Sequence, residues 1–228
     1  MAEESTYSTY RLPTIKGVEL SAFDLYRRKP DVDIDVERPV FCLIGANGLG
    51  KSTYLSSLLY GLTGGMPCRA QRFSSPQEYA QEATRLDRRQ DYYGGRLTEM
   101  AADQAAITVR LGWPGTWASV TRQFHGSGAV ATLDVHSDGQ DSRRFTDATA
   151  EPAYRRLIVD HCKLPNYDQF MFLMHYVCAF DEDRHLLLWD STALTNALYL
   201  AFGSDAEQAA KANQLKRDVE RLGSRDTE

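Results

Sequence analysis

Nine consecutive residues combine three glycines with a lysine and two hydroxyl side chains: Gly45-Ala46-Asn47-Gly48-Leu49-Gly50-Lys51-Ser52-Thr53. They match every fixed position of the phosphate-loop pattern, which is glycine, four variable residues, glycine, lysine and serine or threonine. Glycines let the backbone wrap closely around phosphate, so that its N–H groups face the oxygens. Lys51, the candidate catalytic cation, reaches the β- and γ-phosphates, and the Ser52 hydroxyl is a ligand for Mg²⁺. The stretch predicts a site for ATP and Mg²⁺.

The residues on either side of this loop predict the elements that position it. Residues 39–44 form an apolar run that is typical of a buried parallel strand. Residues 52–62 have the spacing of a short helix with Leu55, Leu58 and Leu59 on one face. A helix that begins near Lys51 directs the positive end of its dipole at the phosphates.

The length and charge of the chain limit its possible domain organisation and partners. The chain has 228 residues, 43% of them hydrophobic and 25% charged, with a net charge of −5. That length suits one large domain or one and a half small ones. An acidic chain is not drawn to nucleic acid as a whole, so any DNA contact must come from local patches.

The N-terminus and the cysteines indicate a cytoplasmic protein that does not enter a membrane. The N-terminus lacks the pattern of a signal peptide, and the apolar runs are too short to span a bilayer. Cys42, Cys68, Cys162 and Cys178 have no metal-ligand spacing, which favours buried free thiols in a reducing cytosol.

Two strands are predicted ahead of the loop, at residues 14–20 and 32–36, because apolar and polar residues alternate there. With the third strand and the G-x-N-G-x-G-K-S-T loop, this layout resembles the N-terminal lobe of ABC-type ATPase heads of the SMC, RecN, RecF and SbcC group. Asn47 between the glycines is typical of that group, and residues 58–64 are similar to the end of its first helix. In the SbcC branch an arginine ahead of the loop approaches the phosphates, so the resemblance makes Arg27 or Arg28 a candidate; a solvated basic turn is the alternative.

The resemblance implies an α/β fold, ATP hydrolysis, a homodimer of heads that closes on ATP, and action on DNA in repair, chromosome structure or antiphage defence. Residues 69–104 are polar, with a helix predicted from residue 76 to residue 89 and a break at Gly94-Gly95. The densest positive group in the first half of the chain is Arg85, Arg88, Arg89 and Arg96. These arginines are the candidate DNA contacts, and a solvated helix face is the alternative.

An antiparallel meander is predicted next, from alternating segments at residues 107–111, 120–122 and 130–135 with turn residues between them. Residues 152–164 predict a helix, and the apolar residues 167–176 predict a buried strand. In the heads that the chain resembles, a strand here leads to a glutamine that touches Mg²⁺ and the attacking water. No glutamine follows directly, and Gln169 lies before the strand. His175 or Tyr176 falls at the expected position, and His175 is the preferred candidate for the catalytic and metal-sensing residue; a structural histidine is the alternative.

Two stretches imitate the strand that ends in a metal-binding carboxylate: residues 177–182, which end in Asp181-Glu182, and residues 186–190. They leave an alternative open, a self-contained small P-loop NTPase or kinase that uses Asp181 for the metal and Glu182 as base, without a DNA role. A third reading is a nucleotide-binding interaction module without hydrolysis. Residues 180–190 also resemble SMC-like ATPases of Lamassu-type antiphage systems.

The last segment is predicted to be helical. We expect a head lobe over residues 1–190 and a helical segment over 191–228, in which residues 205–222 have about two and a half heptads of a coiled-coil seam. No LSGGQ-like signature occurs in the sequence. The resemblance therefore implies a C-terminal lobe, in cis or as a separate chain, a second head, and a nuclease or other effector subunit as partners.

Overall fold

The fold is built on a six-stranded sheet in which every neighbouring pair is antiparallel. This computed structural model describes residues 10–26, 28–36, 38, 40–68, 73, 75–94, 97–98, 104–179, 194–195 and 197–198. The strands are β1 (Thr14–Ser21), β2 (Val32–Asp35), β3 (Ala106–Trp113), β4 (Thr116–Gln123), β5 (Val130–Ser137) and β6 (Arg143–Thr146). Their order is β2-β1-β3-β4-β5-β6, so the predicted meander is confirmed and the two early strands extend it.

Helices fill the long connection between β2 and β3 and follow the last strand. They are α1 (Lys51–Thr63), α2 (Pro76–Ala83), α3 (Leu86–Tyr93), α4 (Ala150–Cys162) and α5 (Tyr167–Phe172). A short 3₁₀ helix, Asp147–Thr149, precedes α4, and a π-helix, Leu173–Cys178, continues α5. In the described part of the chain, no helix combines the length and the apolar character needed to cross a bilayer.

The core lies between one face of the sheet and the helices α1 and α4. Alternate residues of the strands are buried on this face, as the period of two requires. They include Val18, Leu20, Ile107, Val109, Leu111, Val120, Leu133 and Val135. Gly61 in α1 permits close packing, because a Cβ at this position would lie 2.7 Å from Val109 Cγ2.

The buried face of α1 differs from the leucine stripe that the sequence predicts. Leu55 is half exposed, whereas Tyr54, Ser57 and Tyr60 are buried. Two of these side chains make hydrogen bonds that a leucine could not: the Tyr60 hydroxyl donates to the Gln123 carbonyl at 2.5 Å, and Ser57 pairs with the Tyr93 hydroxyl. The helix is therefore oriented by aromatic and polar contacts as well as by apolar ones.

The strand predicted over residues 39–44 is wrong for the part that the structure describes. Residues 40–44 have no regular structure, and Val40, Phe41 and Ile44 are 79%, 46% and 94% exposed. An apolar run becomes a buried strand only when a neighbouring strand pairs with it. Within the described residues, the antiparallel sheet does not supply that neighbour.

The strand predicted over residues 167–176 is also wrong, because this segment is helical. Asn166 is the N-cap of α5 and its Oδ1 accepts the Gln169 N–H at 3.0 Å. The buried residues Tyr167, Phe170, Met171 and Met174 recur with helical spacing, which an apolar run of this length conceals.

Smaller corrections concern α2, α3 and the cysteines. The single helix predicted from residue 76 to residue 89 is interrupted at Thr84, whose hydroxyl donates to the Ala80 carbonyl. All four cysteines are free, as predicted, but only Cys68 and Cys162 are buried. The predicted coiled-coil start at residues 205–222 lies outside the described residues.

Candidate nucleotide-binding site

The phosphate loop leads directly into α1, as the sequence predicts. Gly50 is the N-cap of α1 and has a φ of 82°, a left-handed conformation that favours glycine. No side chain caps this helix, and its first turn contains no acidic residue. The first N–H groups of α1 are therefore left for an anionic ligand, and the helix dipole favours negative charge at the same point.

Lys51 lies inside the loop that it closes. Its ammonium group donates to the Gly45 carbonyl and to the Ala46 carbonyl, both at 2.8 Å. These bonds fold the side chain back over the loop, in which residues 45–49 are exposed. Among the described residues this cation has carbonyl partners and no carboxylate partner, so its charge is available to phosphate oxygens.

A cavity of about 530 Å³ opens beside the loop, within the size range of small-molecule sites, about 300–1,000 Å³. It lies between the turn that joins β1 to β2 and the start of α1. Its lining is Leu25, Tyr26, Arg28, Lys29, Val32, Gly48, Leu49, Gly50 and Thr53. The turn thus contributes apolar and aromatic side chains together with two cations, and the opposite side is formed by the phosphate loop and the first turn of α1.

Arg28, one of the two arginines predicted to approach the phosphates, does line this cavity. Lys29 adds a second cation from the same turn, which the sequence reasoning did not single out. Neither side chain makes an ion pair within the described residues. Arg27, the other candidate, lies outside the described residues.

Ser52 is the candidate Mg²⁺ ligand of the site. Ser52 lies in the first turn of α1 and is exposed, where a hydroxyl next to the lysine can bind Mg²⁺. Among the residues that the structure describes, no group of three or more His, Cys, Asp or Glu side chains could hold a metal ion. Asp181 and Glu182, the alternative carboxylates, lie outside the described residues.

His175 is placed at the opposite end of α1. Its Nε2 lies 2.9 Å from the Thr63 hydroxyl and its Nδ1 lies 2.7 Å from the Tyr79 hydroxyl. Thr63 is twelve residues beyond Lys51, or about 18 Å along the helix at 1.5 Å per residue. The structure therefore does not bring His175 to the phosphate loop, and both ring nitrogens have hydroxyl partners.

The hydrogen bonds around His175 assign its tautomer. The Thr63 hydroxyl has one proton, which it donates to the Leu59 carbonyl at 2.7 Å. Nε2–H must then donate to Thr63, and Nδ1 accepts from Tyr79. Burial lowers the pKa of His175 to about 3, so the ring is neutral at physiological pH.

The arginines proposed as DNA contacts do not form a free basic patch in the described part of the chain. Arg85 pairs with Glu82 and Asp87, and Arg88 pairs with Glu82 at 2.5 Å. Arg89 is only 3% exposed, where it donates to the Gly126 carbonyl and lies over the Tyr60 ring. Arg96 lies outside the described residues. The sequence shows the density of positive charge here, but not the carboxylates that neutralise it.

Tyr26 is a second residue of the site that the sequence did not single out. The Tyr26 hydroxyl donates to the Gly50 carbonyl at 2.8 Å, and the ring lies against the loop. The two residues are 24 positions apart, and no local pattern connects them. The only signal in the sequence is the aromatic residue directly before the basic run 27–29.

The comparison with known proteins agrees with this geometry. A family model described as an AAA domain matches residues 18–111, which include the second half of β1, β2, the phosphate loop, α1 and most of β3. The match covers less than half of the chain. It supports the N-terminal region of an SMC-like ATPase and, in general terms, ATP binding and ATPase activity. No curated protein matches the chain.

Proposed function

We propose that this chain binds ATP and Mg²⁺ as the N-terminal lobe of an SMC-like ABC ATPase head. The observation that carries the proposal is the uncapped start of α1, with Lys51 folded over the phosphate loop beside a cavity lined by two cations, Arg28 and Lys29. The phosphates would lie on the first N–H groups of α1, with Lys51 and Arg28 as their cations. The base and ribose would occupy the wall formed by Leu25 and Val32.

Hydrolysis would require a C-terminal lobe and a second head in addition to this lobe. The exposed apolar residues Val40, Phe41 and Ile44, directly ahead of the loop, support pairing with a strand of the C-terminal lobe, in cis or from a separate chain. A second head would supply the signature motif to the γ-phosphate. ATP would then hold two heads together, and hydrolysis would release them.

Replacement of Lys51 by Ala tests the nucleotide site. The affinity for MgATP should fall about 10-fold or more, because a hydrogen bond to a charged group contributes about 1.5–3 kcal/mol. Isothermal titration calorimetry measures this change. Lys16→Ala is the matched control, since Lys16 is an exposed lysine on β1 and does not line the cavity. Equal MgATP affinities for the Lys51 variant and the wild type would refute the site.

The same purified chain also tests whether this protein hydrolyses ATP by itself or only as part of an assembly. We expect the 228-residue chain to bind ATP and to hydrolyse almost none. Turnover on the order of 1 s⁻¹, which is ordinary for an enzyme, would favour the self-contained NTPase or kinase that uses Asp181 and Glu182.

A DNA role is part of the proposal and follows from the resemblance to SMC-like heads, whereas the AAA-domain match supports the ATPase assignment. Such heads act with nuclease or other effector subunits in repair, chromosome structure or antiphage defence, and we propose the same range of settings here. Because Arg85, Arg88 and Arg89 are engaged within the fold, the DNA surface would be assembled elsewhere when two heads join. Affinity of the ATP-bound assembly for duplex DNA that falls steeply with salt would support this role.

A further inference from the structure

The turn between β1 and β2 touches the phosphate loop through the hydroxyl of Tyr26. This hydroxyl donates to the Gly50 carbonyl at 2.8 Å, and the same oxygen accepts the Tyr54 N–H at 2.9 Å, which is the first hydrogen bond of α1. The Tyr26 ring occupies the space that a side chain at position 50 would need, since a Cβ there would lie 2.6 Å from Tyr26 Cε1. Position 50 therefore requires glycine for this contact as well as for its φ.

Ring packing and backbone hydrogen bonds fix the conformation of the turn that carries Tyr26. Phe23 is fully buried, with its ring centroid 4.9 Å from that of Phe124 and 5.4 Å from that of Tyr26. Its N–H donates to the Pro30 carbonyl at 3.0 Å, which closes the turn. The residue before it, Ala22, has a φ of 51°, and its N–H donates to Asp31 Oδ1 at 2.8 Å. A non-glycine residue in this conformation persists only where its surroundings determine it.

The Gly50 carbonyl is in the same planar peptide unit as the Lys51 N–H. In a trans peptide these two groups point in opposite directions, and the unit resists twisting. A hydrogen bond that fixes the carbonyl oxygen therefore also fixes the direction of the Lys51 N–H, one of the uncapped donors at the start of α1. Burial, and then the neighbouring Tyr92, raise the pKa of Tyr26 to about 12, so its hydroxyl remains a donor at neutral pH.

We propose that Tyr26 is a positioning residue for phosphate binding: its hydroxyl holds the Gly50–Lys51 peptide so that the Lys51 N–H faces the phosphates. This inference rests on the proposed nucleotide site and adds a residue to it. It also explains how the turn is coupled to the loop, since Arg28 and Lys29 follow Tyr26 and line the same cavity. The role assigned to Tyr26 concerns the phosphates and not the base.

Tyr26→Phe tests this role because it removes the hydroxyl and keeps the ring. The variant should bind MgATP about 2- to 10-fold more weakly, as expected for the loss of one neutral hydrogen bond. Magnesium pyrophosphate, which has no base, should lose affinity by the same factor, whereas any binding of adenosine should be unchanged. Calorimetry with the three compounds measures the affinities. In ¹⁵N–¹H spectra with pyrophosphate, the Lys51 amide resonance should shift less in the variant than in the wild type.

Tyr154→Phe is a closely matched control. The Tyr154 hydroxyl donates to the Leu62 carbonyl at 2.7 Å, so it also binds a backbone carbonyl of α1, but at the far end of the helix. Each acceptor keeps a second donor in the variant, the Tyr54 N–H for Gly50 and the Tyr167 hydroxyl for Leu62. Both variants should lose some thermal stability, and only Tyr26→Phe should lose affinity for pyrophosphate.

Three outcomes would overturn the inference. Unchanged ATP and pyrophosphate affinities in Tyr26→Phe would show that the hydroxyl does not position the loop. An equal loss for adenosine would assign Tyr26 to the base. An equal loss of pyrophosphate affinity in Tyr154→Phe would show a general effect of α1 stability. A wild-type chain that binds neither ATP nor pyrophosphate would instead refute the nucleotide site itself, and the role of Tyr26 with it.

Discussion

Acidification should destabilise the protein through His175, and this effect can be isolated with one substitution. The imidazole is only 7% exposed, with Thr63 and Tyr79 as its partners, and no carboxylate is among its partners in the described part of the chain. Burial lowers the pKa of His175 from 6.5 to about 3 in the folded protein. In the unfolded chain we expect the ordinary value of about 6.5.

The sign and size of the effect follow from this difference. Above pH 6.5 the imidazole is neutral in both states and its titration contributes nothing. Between pH 6.5 and pH 3 only the unfolded state binds the proton, so the free energy of unfolding falls as the pH falls. The slope is about 1.4 kcal/mol per pH unit. From neutral pH to pH 4.5 the loss is therefore roughly 3 kcal/mol.

His175→Gln removes the titration and keeps an amide that can donate to Thr63. Urea denaturation of both proteins between pH 7.5 and pH 4.5 gives the difference in their free energies of unfolding, in which the other titrating groups largely cancel. This difference should shrink by roughly 3 kcal/mol on acidification. If the free energies of unfolding of the two proteins changed in parallel with pH, the assignment of His175 as a buried neutral residue would be refuted. Because His175 lies far from the loop, the substitution should leave MgATP affinity at pH 7.5 unchanged. A large loss of MgATP affinity would mean that His175 does belong to the nucleotide site.

Two further predictions concern buried charges and are measured by urea denaturation. Arg89→Glu should lower the free energy of unfolding by about 3 kcal/mol or more, because it places a carboxylate at a 3% exposed position against the Gly126 carbonyl. Arg85→Glu, at an exposed position, should cost clearly less. Equal effects would mean that Arg89 is a surface residue. Glu151→Gln should cost about 3 kcal/mol, because the fully buried Arg122 lies 2.6 Å from Glu151 and would lose its counter-charge; a neutral result would show that the carbonyls of Gly61 and Gly128 satisfy Arg122 without it.

The local features of the site could be predicted from the sequence because local chemistry determines them. The glycine and lysine spacing places the loop before the helix, and α1 begins at Lys51, where the motif predicts. The strands β1 to β5 follow from alternation and turn residues; Gly115, for example, has a φ of 71° in the turn between β3 and β4. Each of these predictions needs only residues that are close in sequence.

The incorrect predictions share a physical cause: whether a residue is buried depends on partners that are distant in the sequence. The apolar residues 40–44 have the composition of a strand and are exposed because, within the described residues, no strand lies beside them. The apolar residues 167–176 are buried, but the Asn166 cap selects a helix. Arg89 resembles a surface cation until the Gly126 carbonyl, 37 residues away, is placed against it. The role of the Tyr26 hydroxyl likewise follows from its acceptor, the Gly50 carbonyl, which is distant in the sequence.

The contacts of α1 explain why ligand binding at one end of this helix can be specific. At its C-terminal end, the Leu62 carbonyl accepts from Tyr154 and Tyr167, and the Thr63 hydroxyl bonds to His175. These partners satisfy groups that a helix end leaves open, and they prevent α1 from sliding along its axis. At the N-terminal end the Gly50 carbonyl is fixed by Tyr26, whereas the first N–H groups have no side-chain cap. A helix that is held at both ends and open only toward the cavity presents its donors in a fixed direction. Phosphate binding then requires little reorganisation, which is the condition for converting a few hydrogen bonds into affinity.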